Sequence, residues 1–384
     1  MLIGIIGSPN KGKSRFFSSL TRLDVGVADY PFTTIDPNKG VALMPVTCAC
    51  ASLGIKCNAR GGCDGKKRLV PVQLLDVAGL VPDAHEGKGM GNQFLDDLSN
   101  ADGFAQIIDA TGRTDLEGKP AQNFPISDEV GFLKGEMAHW LLKVLKKNSV
   151  KFKHKTEEEL ADALSGLNYS RQIISRAAKE IGMDTKRICA EDDELSRLAN
   201  WLVNNAKPMI VAANKADVNG ALARIKKAQE EGIDLVPCSA EYEYTLVLAM
   251  KKGIVNYSPG EPKIQVMQNA DEKQKTALKH IEKFLIENKG TGVYEVLNRL
   301  IFDKMGMIIV YPVEDENHYC DGQGKILPDA ILLPKGSTTI DLAKKVHTEF
   351  AKKFIGAIDA RTKMRVGKEH VLKDQDIIKI IAGR

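Results

Sequence analysis

Short apolar runs and helical patterns alternate along much of the chain. Five runs are strand-like, and most of them are apolar on consecutive positions, as expected for parallel strands that helices cover on both faces. They are residues 2–6, 70–75, 105–109, 209–213 and 235–237. Helical patterns separate several of these runs, beginning with SRFFSSLTRL after the first. The alternation predicts an α/β domain with a doubly wound, mostly parallel sheet.

The pattern changes over residues 113–206, where we find no convincing strand. Apolar residues recur there at helical spacing. Thr156 followed by Glu159 has the form of a capping box at a helix start. We therefore predict an all-helical insertion over 113–206, which divides the α/β domain into residues 1–112 and 207–305.

A third pattern occupies residues 306–384. MIIVYPV is strand-like, DLAKKVHTEFAKKF has the spacing of an amphipathic helix, and DIIKIIAGR closes as a strand. This mixture predicts a small C-terminal α+β domain.

The amino-acid composition is that of a folded globular protein. The 384 residues are 43% hydrophobic and 27% charged, which is ordinary for a globular chain and excludes a mainly disordered one. No apolar run reaches the roughly 18 residues that a membrane-spanning helix needs. The N-terminal apolar run lacks a basic segment before it, so we interpret it as a buried strand and not a signal peptide. These features predict a cytoplasmic protein, and the net charge of +4 permits contact with nucleic acid without indicating it strongly.

The first strand leads into a phosphate-binding motif. Residues 7–14, GSPNKGKS, fit G-x-x-x-x-G-K-[ST] between a predicted strand and a predicted helix. The two glycines allow backbone N–H groups to converge on phosphate oxygens, while the lysine reaches the β- and γ-phosphates and the serine binds Mg²⁺. A glycine turn with an incidental Lys-Ser is the alternative. The predicted nucleotide-binding residues here are Gly7, Ser8, Pro9, Asn10, Lys11, Gly12, Lys13, Ser14 and Arg15.

Two further motifs follow predicted strands. Asp76 ends the run VPVQLL at the edge where ligands of parallel sheets bind, so it can hold Mg²⁺ through water, and the Gly79 N–H can meet a γ-phosphate. In the sequence NKAD, Asp217 can accept hydrogen bonds from guanine N1–H and N2–H₂, which adenine does not offer. The alternatives are an Asp-Gly turn and a capped helix N-terminus. Asn214, Lys215 and Asp217 would bind the base, with an N–H of Ser239 or Ala240 donating to guanine O6.

With these motifs in order, the chain resembles the Obg-related P-loop GTPases. Residues 28–38, ADYPFTTIDPN, resemble the first switch region of that family. The segments LPKGSTTIDLA and VLKD near the C-terminus resemble TGS domains, which have a ubiquitin-like fold. More narrowly, the chain is similar to the archaeal branch of the YchF group, whose G domain carries a helical insertion. The α/β domain is then a G domain, and residues 306–384 a TGS domain.

The resemblance implies a Mg²⁺-dependent GTPase that acts as a nucleotide switch on the ribosome or on structured RNA. Thr34, in the first switch, would close over Mg²⁺ together with Ser14 and Asp76. Bacterial and eukaryotic relatives have lost the NKxD motif and prefer ATP, whereas NKAD is intact here and favours GTP. An ATPase, or a regulatory module that binds a nucleotide with negligible turnover, are the alternative functions.

The residue that would orient the attacking water is substituted in this chain. Leu80 stands where Ras-like proteins have a glutamine that orients water, and an apolar side chain cannot do this. His85 could act as a base near neutral pH, or it could be an exposed loop residue. Asn10 matches a position that binds K⁺ in cation-activated relatives. Besides Lys13, Thr34 and Gly79 we assign His85 to the catalytic set, and we predict slow intrinsic hydrolysis that an activating protein stimulates.

Seven cysteines remain to be interpreted. Cys48, Cys50, Cys57 and Cys63 lie within 16 residues, in a glycine-rich segment too small to bury a core of its own. Four thiolates so close could bind Zn²⁺ tetrahedrally, whereas a disulfide or free thiols in a flexible loop are the alternatives. We interpret the other three, Cys189, Cys238 and Cys320, as small buried hydrophobic residues.

One basic run stands out. Residues 143–155 contain six lysines and no acidic residue. Such a run is typical of a solvated helix face, and it could equally contact ribosomal RNA phosphates.

Overall fold

The computed structural model describes residues 1–21, 38–77, 79–83, 100–154, 156–164, 167, 169–184 and 188–383. Thr34 and His85 lie outside the described residues, so their predicted roles stay predictions. The chain forms two compact units. The larger unit comprises Leu2–Ser19 and Leu74–Val296, and the smaller comprises Met1, Leu20–Gln73 and Leu297–Arg384.

The larger unit is built on a parallel sheet. Its strands are β1 (Leu2–Ile6), the end of β3 (Lys67–Asp76), β4 (Gly103–Asp109), β5 (Met209–Asn214) and β6 (Leu235–Pro237). They have the order β3-β1-β4-β5-β6, and β1, β4, β5 and β6 pair in parallel. Every residue of β4 is buried, as its mostly apolar sequence predicts for a central strand. All five strands predicted from apolar runs are therefore present.

Helices follow the strands of this sheet. α1 (Lys13–Thr21) follows β1, α7 (Ala221–Glu230) follows β5, and α8 (Ala240–Lys251) follows β6. The short hairpin strands β7 (Val255–Tyr257) and β8 (Ile264–Val266), together with α9 (Glu272–Asn288) and α10 (Val293–Asn298), complete the unit. The hairpin was not predicted, because three-residue strands give no usable periodicity.

The segment between β4 and β5 is helical. It contains α3 (Ile126–Phe152), α4 (Glu157–Ala163), α5 (Arg171–Ile181) and α6 (Asp192–Asn205). The predicted capping box is present, since the Thr156 hydroxyl accepts from the Glu159 N–H and the Glu159 carboxylate accepts from the Thr156 N–H. Buried Leu133, Leu141 and Leu198 belong to a core that continues to Ile6 of β1. The predicted domain boundaries at 113 and 206 stay predictions.

The smaller unit contains β2 (Lys39–Thr47), α2 (Ala49–Leu53), most of β3 and the C-terminal region. After α10 the chain turns through a π-helix (Arg299–Lys304) into a five-stranded sheet of order β10-β9-β13-β11-β12, in which only β9 and β13 pair in parallel. The remaining elements are β9 (Met307–Val313), β10 (Ile331–Pro334), α11 (Thr339–Val346), α12 (Thr348–Lys352), β11 (Phe354–Asp359), β12 (Arg365–Val366) and β13 (Asp376–Ala382). Val310, Leu342 and Ile378 lie in its core.

Two sequence expectations need correction. The single amphipathic helix predicted near the C-terminus is two helices, because His347 adopts an extended conformation (φ −162°, ψ 136°) between α11 and α12. Cys238 is buried as predicted, but Cys189 is exposed and Cys320 is half-buried. Cys189 lies between α5 and α6 and within neither helix. Within the described residues, no helix is both long and apolar enough to cross a membrane.

Candidate functional site

The loop between β1 and α1 has a shape that only glycine permits at two positions. Gly7 has φ 149° and Gly12 has φ 93°. A Cβ at Gly7 would lie 2.4 Å from the Ile107 carbonyl oxygen, and one at Gly12 would lie 2.3 Å from Asn214 Nδ2. The motif glycines therefore hold the loop directly against β4 and against the residue that ends β5.

Lys13 is the first residue of α1 and folds back over the loop. Its Nζ donates to the Ser8 carbonyl at 2.9 Å. Burial lowers the pKa of Lys13 to about 8, although the nearby Asp76 carboxylate opposes the shift. The ammonium is thus a poorly solvated cation, which an anionic phosphate would stabilise.

Ser14 and Asp76 meet beside this lysine. The Ser14 side chain hydrogen-bonds the carboxylate, and burial raises the pKa of Asp76 against the opposing effects of Ser14 and Lys13. A Cβ at Gly79 would lie 3.0 Å from Lys13 Nζ and 3.2 Å from the Pro9 nitrogen. A hydroxyl and a carboxylate are hard oxygen donors of the kind that Mg²⁺ prefers. The donor set therefore fits a Mg²⁺ ion at this edge of the sheet.

Asn214 joins three motifs. Its Nδ2 donates to the Lys11 carbonyl at 2.9 Å, and its Oδ1 accepts from the Ala240 N–H at 3.0 Å. Lys215 follows with φ 63° and its Nζ donates to the Asn10 carbonyl at 3.1 Å. Residues more than 200 positions apart are brought together, so the NKAD segment and the phosphate loop form one continuous site.

Asp217 is the polar group of this segment that the protein leaves unsatisfied. Its Oδ1 is buried and has no hydrogen-bond partner within the described part of the chain. A buried acceptor without a partner costs about 1–3 kcal/mol, so such atoms usually await a ligand or water. The prediction that Asp217 binds a base is consistent with this geometry.

The predicted donor to guanine O6 needs refinement. The Ser239 N–H donates to the Thr291 carbonyl at 2.8 Å, and the Ala240 N–H is the one that Asn214 Oδ1 accepts. Ser239 instead caps α8, since its side chain accepts from the Tyr242 N–H at 3.1 Å. The Ser239 amide is thereby occupied, and the Ala240 amide would have to share its hydrogen with a base.

A buried charge network beneath the phosphate loop was not predicted. Lys11 is fully buried, and its Nζ lies 3.1 Å from Glu129 Oε1 and 2.9 Å from Thr114 Oγ1. Asp109 Oδ2 accepts from Lys215 Nζ at 2.8 Å and from Thr114 Oγ1 at the same distance. Burial raises the pKa of Glu129 to about 7, while Lys11 opposes the shift. The sequence could have identified Asp109 as a residue of the site, because it ends a buried strand at the edge of the sheet where ligands bind. Nothing in the sequence could have identified Glu129, which lies on a helix far from the loop along the chain.

Other loop side chains point to the surface. Asn10 has φ 62°, and its Nδ2 donates to the Gly118 carbonyl at 2.9 Å, so only its amide oxygen could face a cation such as K⁺. The Arg15 guanidinium pairs with Glu241 at 2.9 Å and stands 4.2 Å from the Tyr244 ring centre. The Arg15 side chain is therefore engaged with α8 and not with the loop.

Leu80 turns away from the phosphate loop. Its N–H donates to the Gly7 carbonyl at 3.3 Å, but its side chain is buried in the core with Val77, Leu133 and Met137.

The four clustered cysteines lie in the smaller unit. Their Sγ atoms are all within 4.8 Å of one another, with Cys48 and Cys50 buried and Cys57 and Cys63 partly exposed. The structure thus brings together the four cysteines that the sequence groups within 16 residues.

Three family models match parts of the chain. They are a 50S ribosome-binding GTPase over residues 2–147, the G4 motif-containing domain of Obg-like, YGR210-like GTPases over 212–315, and a TGS domain over 321–382. The TGS match and the resemblance noted in the sequence agree.

Whole-chain relatives show the same arrangement. The uncharacterized GTP-binding protein MJ1332 of Methanocaldococcus jannaschii is 46% identical, with 100% of this chain and 99% of that protein covered. The ribosome-binding ATPase YchF of Buchnera aphidicola is 25% identical over 98% and 97%. A crystal structure of a GTP-binding protein from Pyrococcus horikoshii is 32% identical, matches with a TM-score of 0.76 and covers both chains fully. The chain thus belongs to the YchF-type, Obg-like P-loop GTPases with a C-terminal TGS domain.

Proposed function

We propose that the protein binds GTP with Mg²⁺, hydrolyses it slowly and acts as a nucleotide-controlled switch on the ribosome. The observation that carries the choice of nucleotide is the buried, unpartnered Asp217 Oδ1 in a segment that Asn214 ties to the phosphate loop. Family membership supports nucleotide hydrolysis in general.

The base side of the site favours guanine. A carboxylate at Asp217 can accept from both N1–H and N2–H₂ of guanine, whereas adenine presents an acceptor at N1 and no amino group at C2. A site built on such bonds rejects the analogue that lacks them by as much as ~10⁴-fold. Relatives named as ATPases share about a quarter of the sequence, so an ATPase remains the second candidate.

The phosphate side supplies charge and orientation. Lys13 loses its Ser8 partner and gains the β- and γ-phosphate oxygens, a charge-assisted interaction in a poorly solvated site. Backbone N–H groups of the loop and the start of α1 add to the attraction. Ser14 and Asp76 would hold Mg²⁺, which neutralises charge that develops between the β- and γ-phosphates. The Gly79 N–H would orient the γ-phosphate.

Hydrolysis is slow in this proposal because no described side chain takes the place of the water-orienting glutamine. Leu80 is withdrawn into the core, so the attacking water depends on other groups. Thr34 and His85, on segments outside the described residues, are our candidates, with K⁺ at Asn10 or an activating protein as further contributors. The Gly79 region and the first switch would be ordered by GTP and released after hydrolysis.

The proposal that the ribosome is the partner rests on relatives of this chain. YchF of Buchnera aphidicola is named a ribosome-binding ATPase, and the model that matches residues 2–147 describes a 50S ribosome-binding GTPase. By this resemblance we infer that the partner is the ribosome or structured ribosomal RNA.

Calorimetry with GTP, ATP and xanthosine triphosphate tests the base assignment. In Asp217→Asn the amide can donate to the xanthine C2 carbonyl but cannot accept two guanine donors. We expect GTP affinity to fall by ~10²-fold or more and affinity for the xanthine nucleotide to rise. Exposed Asp303→Asn is the matched control and should leave both affinities unchanged. Tighter binding of ATP than GTP by the unmodified protein would overturn the assignment.

Sedimentation with ribosomal subunits tests the switch. We expect association to differ among the protein with a GTP analogue, with GDP and without nucleotide. Ser14→Ala should abolish the Mg²⁺ dependence of GTP binding and the difference between nucleotide states. Equal association in all three states would refute the switch even if GTP binds as proposed.

A further inference from the structure

The cysteine cluster has the dimensions of a tetrahedral metal site. Cys48 Sγ lies 3.8 Å from Cys57 Sγ, and Cys50 Sγ lies 3.7 Å from Cys63 Sγ. Four sulfurs at about 2.3 Å from a Zn²⁺ ion would be separated by about 3.8 Å along each tetrahedral edge. A disulfide requires an S–S distance of about 2.05 Å. The observed separations therefore match a shared cation better than two disulfide bonds.

Local structure presents the sulfurs to one point. Cys48 precedes α2, with its N–H donating to the Lys66 carbonyl at 2.8 Å, and Cys50 lies in the first turn of that helix. The loop returns through Gly62 and Gly65, which have φ 87° and 92°. The Gly65 N–H donates to Cys63 Sγ at 3.4 Å. An N–H directed at sulfur stabilises a thiolate, so the backbone already supports a charged ligand.

Arg68 gives an independent indication of negative charge. The side chain is 1% exposed, and among the described residues no carboxylate lies within ion-pair distance of it. Its Nη atoms donate to the Leu327 and Pro328 carbonyls, at 3.0 and 2.8 Å, and its Nε is buried without a partner. Its Nη1 lies 4.0 Å from Cys48 Sγ. A buried guanidinium surrounded only by neutral groups is costly, and a metal bound by four thiolates would supply the missing counter-charge.

We propose that Cys48, Cys50, Cys57 and Cys63 bind one Zn²⁺ as a structural tetrathiolate site, with Arg68 as its buried counter-cation. Four thiolates bound to one divalent ion carry a net negative charge beside the guanidinium. The sulfurs close the coordination sphere, so the site has no open position for substrate and is structural. The alternatives are a mononuclear iron site with the same ligands, two disulfides and four free thiols.

The site also fixes a neighbouring segment of the smaller unit. The Asn58 N–H donates to the Ile326 carbonyl at 2.8 Å, and the Arg60 guanidinium pairs with Asp329 at 2.7 Å. With the two Arg68 contacts, the cysteine loop supplies partners to residues 326–329. Loss of the metal should therefore release both the loop and this segment.

Metal analysis of the full chain, purified under reducing conditions without chelator, tests the proposal. We expect about one zinc per chain, and about none in Cys50→Ser. Cys189→Ser, which removes an exposed thiol outside the cluster, should retain the full content. Replacement by Co²⁺ should give the intense sulfur-to-metal charge-transfer bands of a tetrahedral tetrathiolate. Iron in place of zinc, disulfides found by mass spectrometry, or metal-free protein would each overturn the assignment.

Chelation of the unmodified protein avoids relying on a variant that fails to fold. Stripping the metal should increase amide hydrogen exchange by about tenfold or more in residues 56–68 and 326–329, but not in residues 7–14. GTP binding is measured on the same sample, so failure of the nucleotide proposal and failure of the zinc proposal are separate results. Unchanged exchange after complete removal of zinc would refute its structural role.

Discussion

At the scale of single residues, the protein buries several ionisable side chains. Lys11, Glu129, Glu243 and Arg68 are each buried, and the contacts that offset the cost of burial differ among them. Lys11 pairs with a carboxylate, whereas Glu243 accepts from the Tyr257 and Thr291 hydroxyls at 2.9 and 2.5 Å and has no cationic partner among the described residues. These arrangements predict different responses to pH and to mutation.

Glu243 should make stability fall as pH rises. Burial raises its pKa from 4.5 to about 7, so its proton stabilises the folded state below about pH 4.5 and that contribution is lost as pH rises through about 7. Between these limits the loss is about 3 kcal/mol. Denaturant unfolding of Glu243→Gln should lack this component. The exposed variant Glu287→Gln should keep this component. The same dependence of the free energy of unfolding on pH in the unmodified protein and both variants would contradict the prediction.

The Lys11–Glu129 pair should be strongly coupled. Removing one partner leaves the other charge buried, which costs about 3–5 kcal/mol, whereas removing both leaves no orphan charge. We expect Lys11→Met and Glu129→Leu each to lower the free energy of unfolding by this amount, and the double variant to lose much less than their sum. A double-mutant cycle by chemical denaturation measures this. Additive losses would show that the two groups act independently.

At the scale of elements, the withdrawal of Leu80 from the phosphate loop has a direct consequence. Its side chain is 4% exposed and belongs to the core between the sheet and the helical segment. Leu80→Gln would bury an amide there, so we expect a loss of about 2–5 kcal/mol in the free energy of unfolding and no faster single-turnover GTP hydrolysis.

Leu222→Gln is the control for this change, because Leu222 is 37% exposed on α7. It should affect neither stability nor turnover. A faster reaction in Leu80→Gln would show that the introduced amide reaches the attacking water, and would contradict the buried placement.

Elements were predictable where one physical signal dominated. β4 is buried along its whole length and is apolar except at Gln106 and Asp109, and Thr156 with Glu159 forms the cap that its spacing indicates. β2 escaped prediction because Gly40 and Pro45 interrupt its pattern, and its burial is irregular, as edge strands tolerate. In the site, motifs placed Lys13, Asp76 and Asn214, but Glu129 contacts Lys11 across 118 positions that no local pattern connects.

At the scale of the whole molecule, charge is distributed unevenly. The C-terminal residues 307–384 hold 13 basic and 11 acidic residues, so electrostatics alone gives this region no preference for RNA. Of the six lysines of residues 143–155, Lys155 lies outside the described residues, and the other five lie in the second half of α3 or just beyond it. Lys146 pairs with Asp192 at 2.7 Å, while Lys147 and Lys153 are exposed. If the ribosome is the partner, this run is the best electrostatic candidate for contact with its phosphates.

Salt dependence separates that contact from a merely solvated helix face. Each lost phosphate contact should reduce the slope of log affinity against log salt by about 0.7–0.9. We expect the double variant Lys147→Glu and Lys153→Glu to bind ribosomal subunits more weakly and with a slope lowered by roughly two such steps. Lys226→Glu with Lys227→Glu makes the same change in net charge on α7, where both lysines are exposed. Long-range electrostatic attraction to the ribosome depends on the net charge of the protein, whereas direct contact with phosphates depends on where the lysines lie. Equal loss of ribosome affinity in the two double variants would therefore assign the effect to net charge and exclude a specific role for the lysine run.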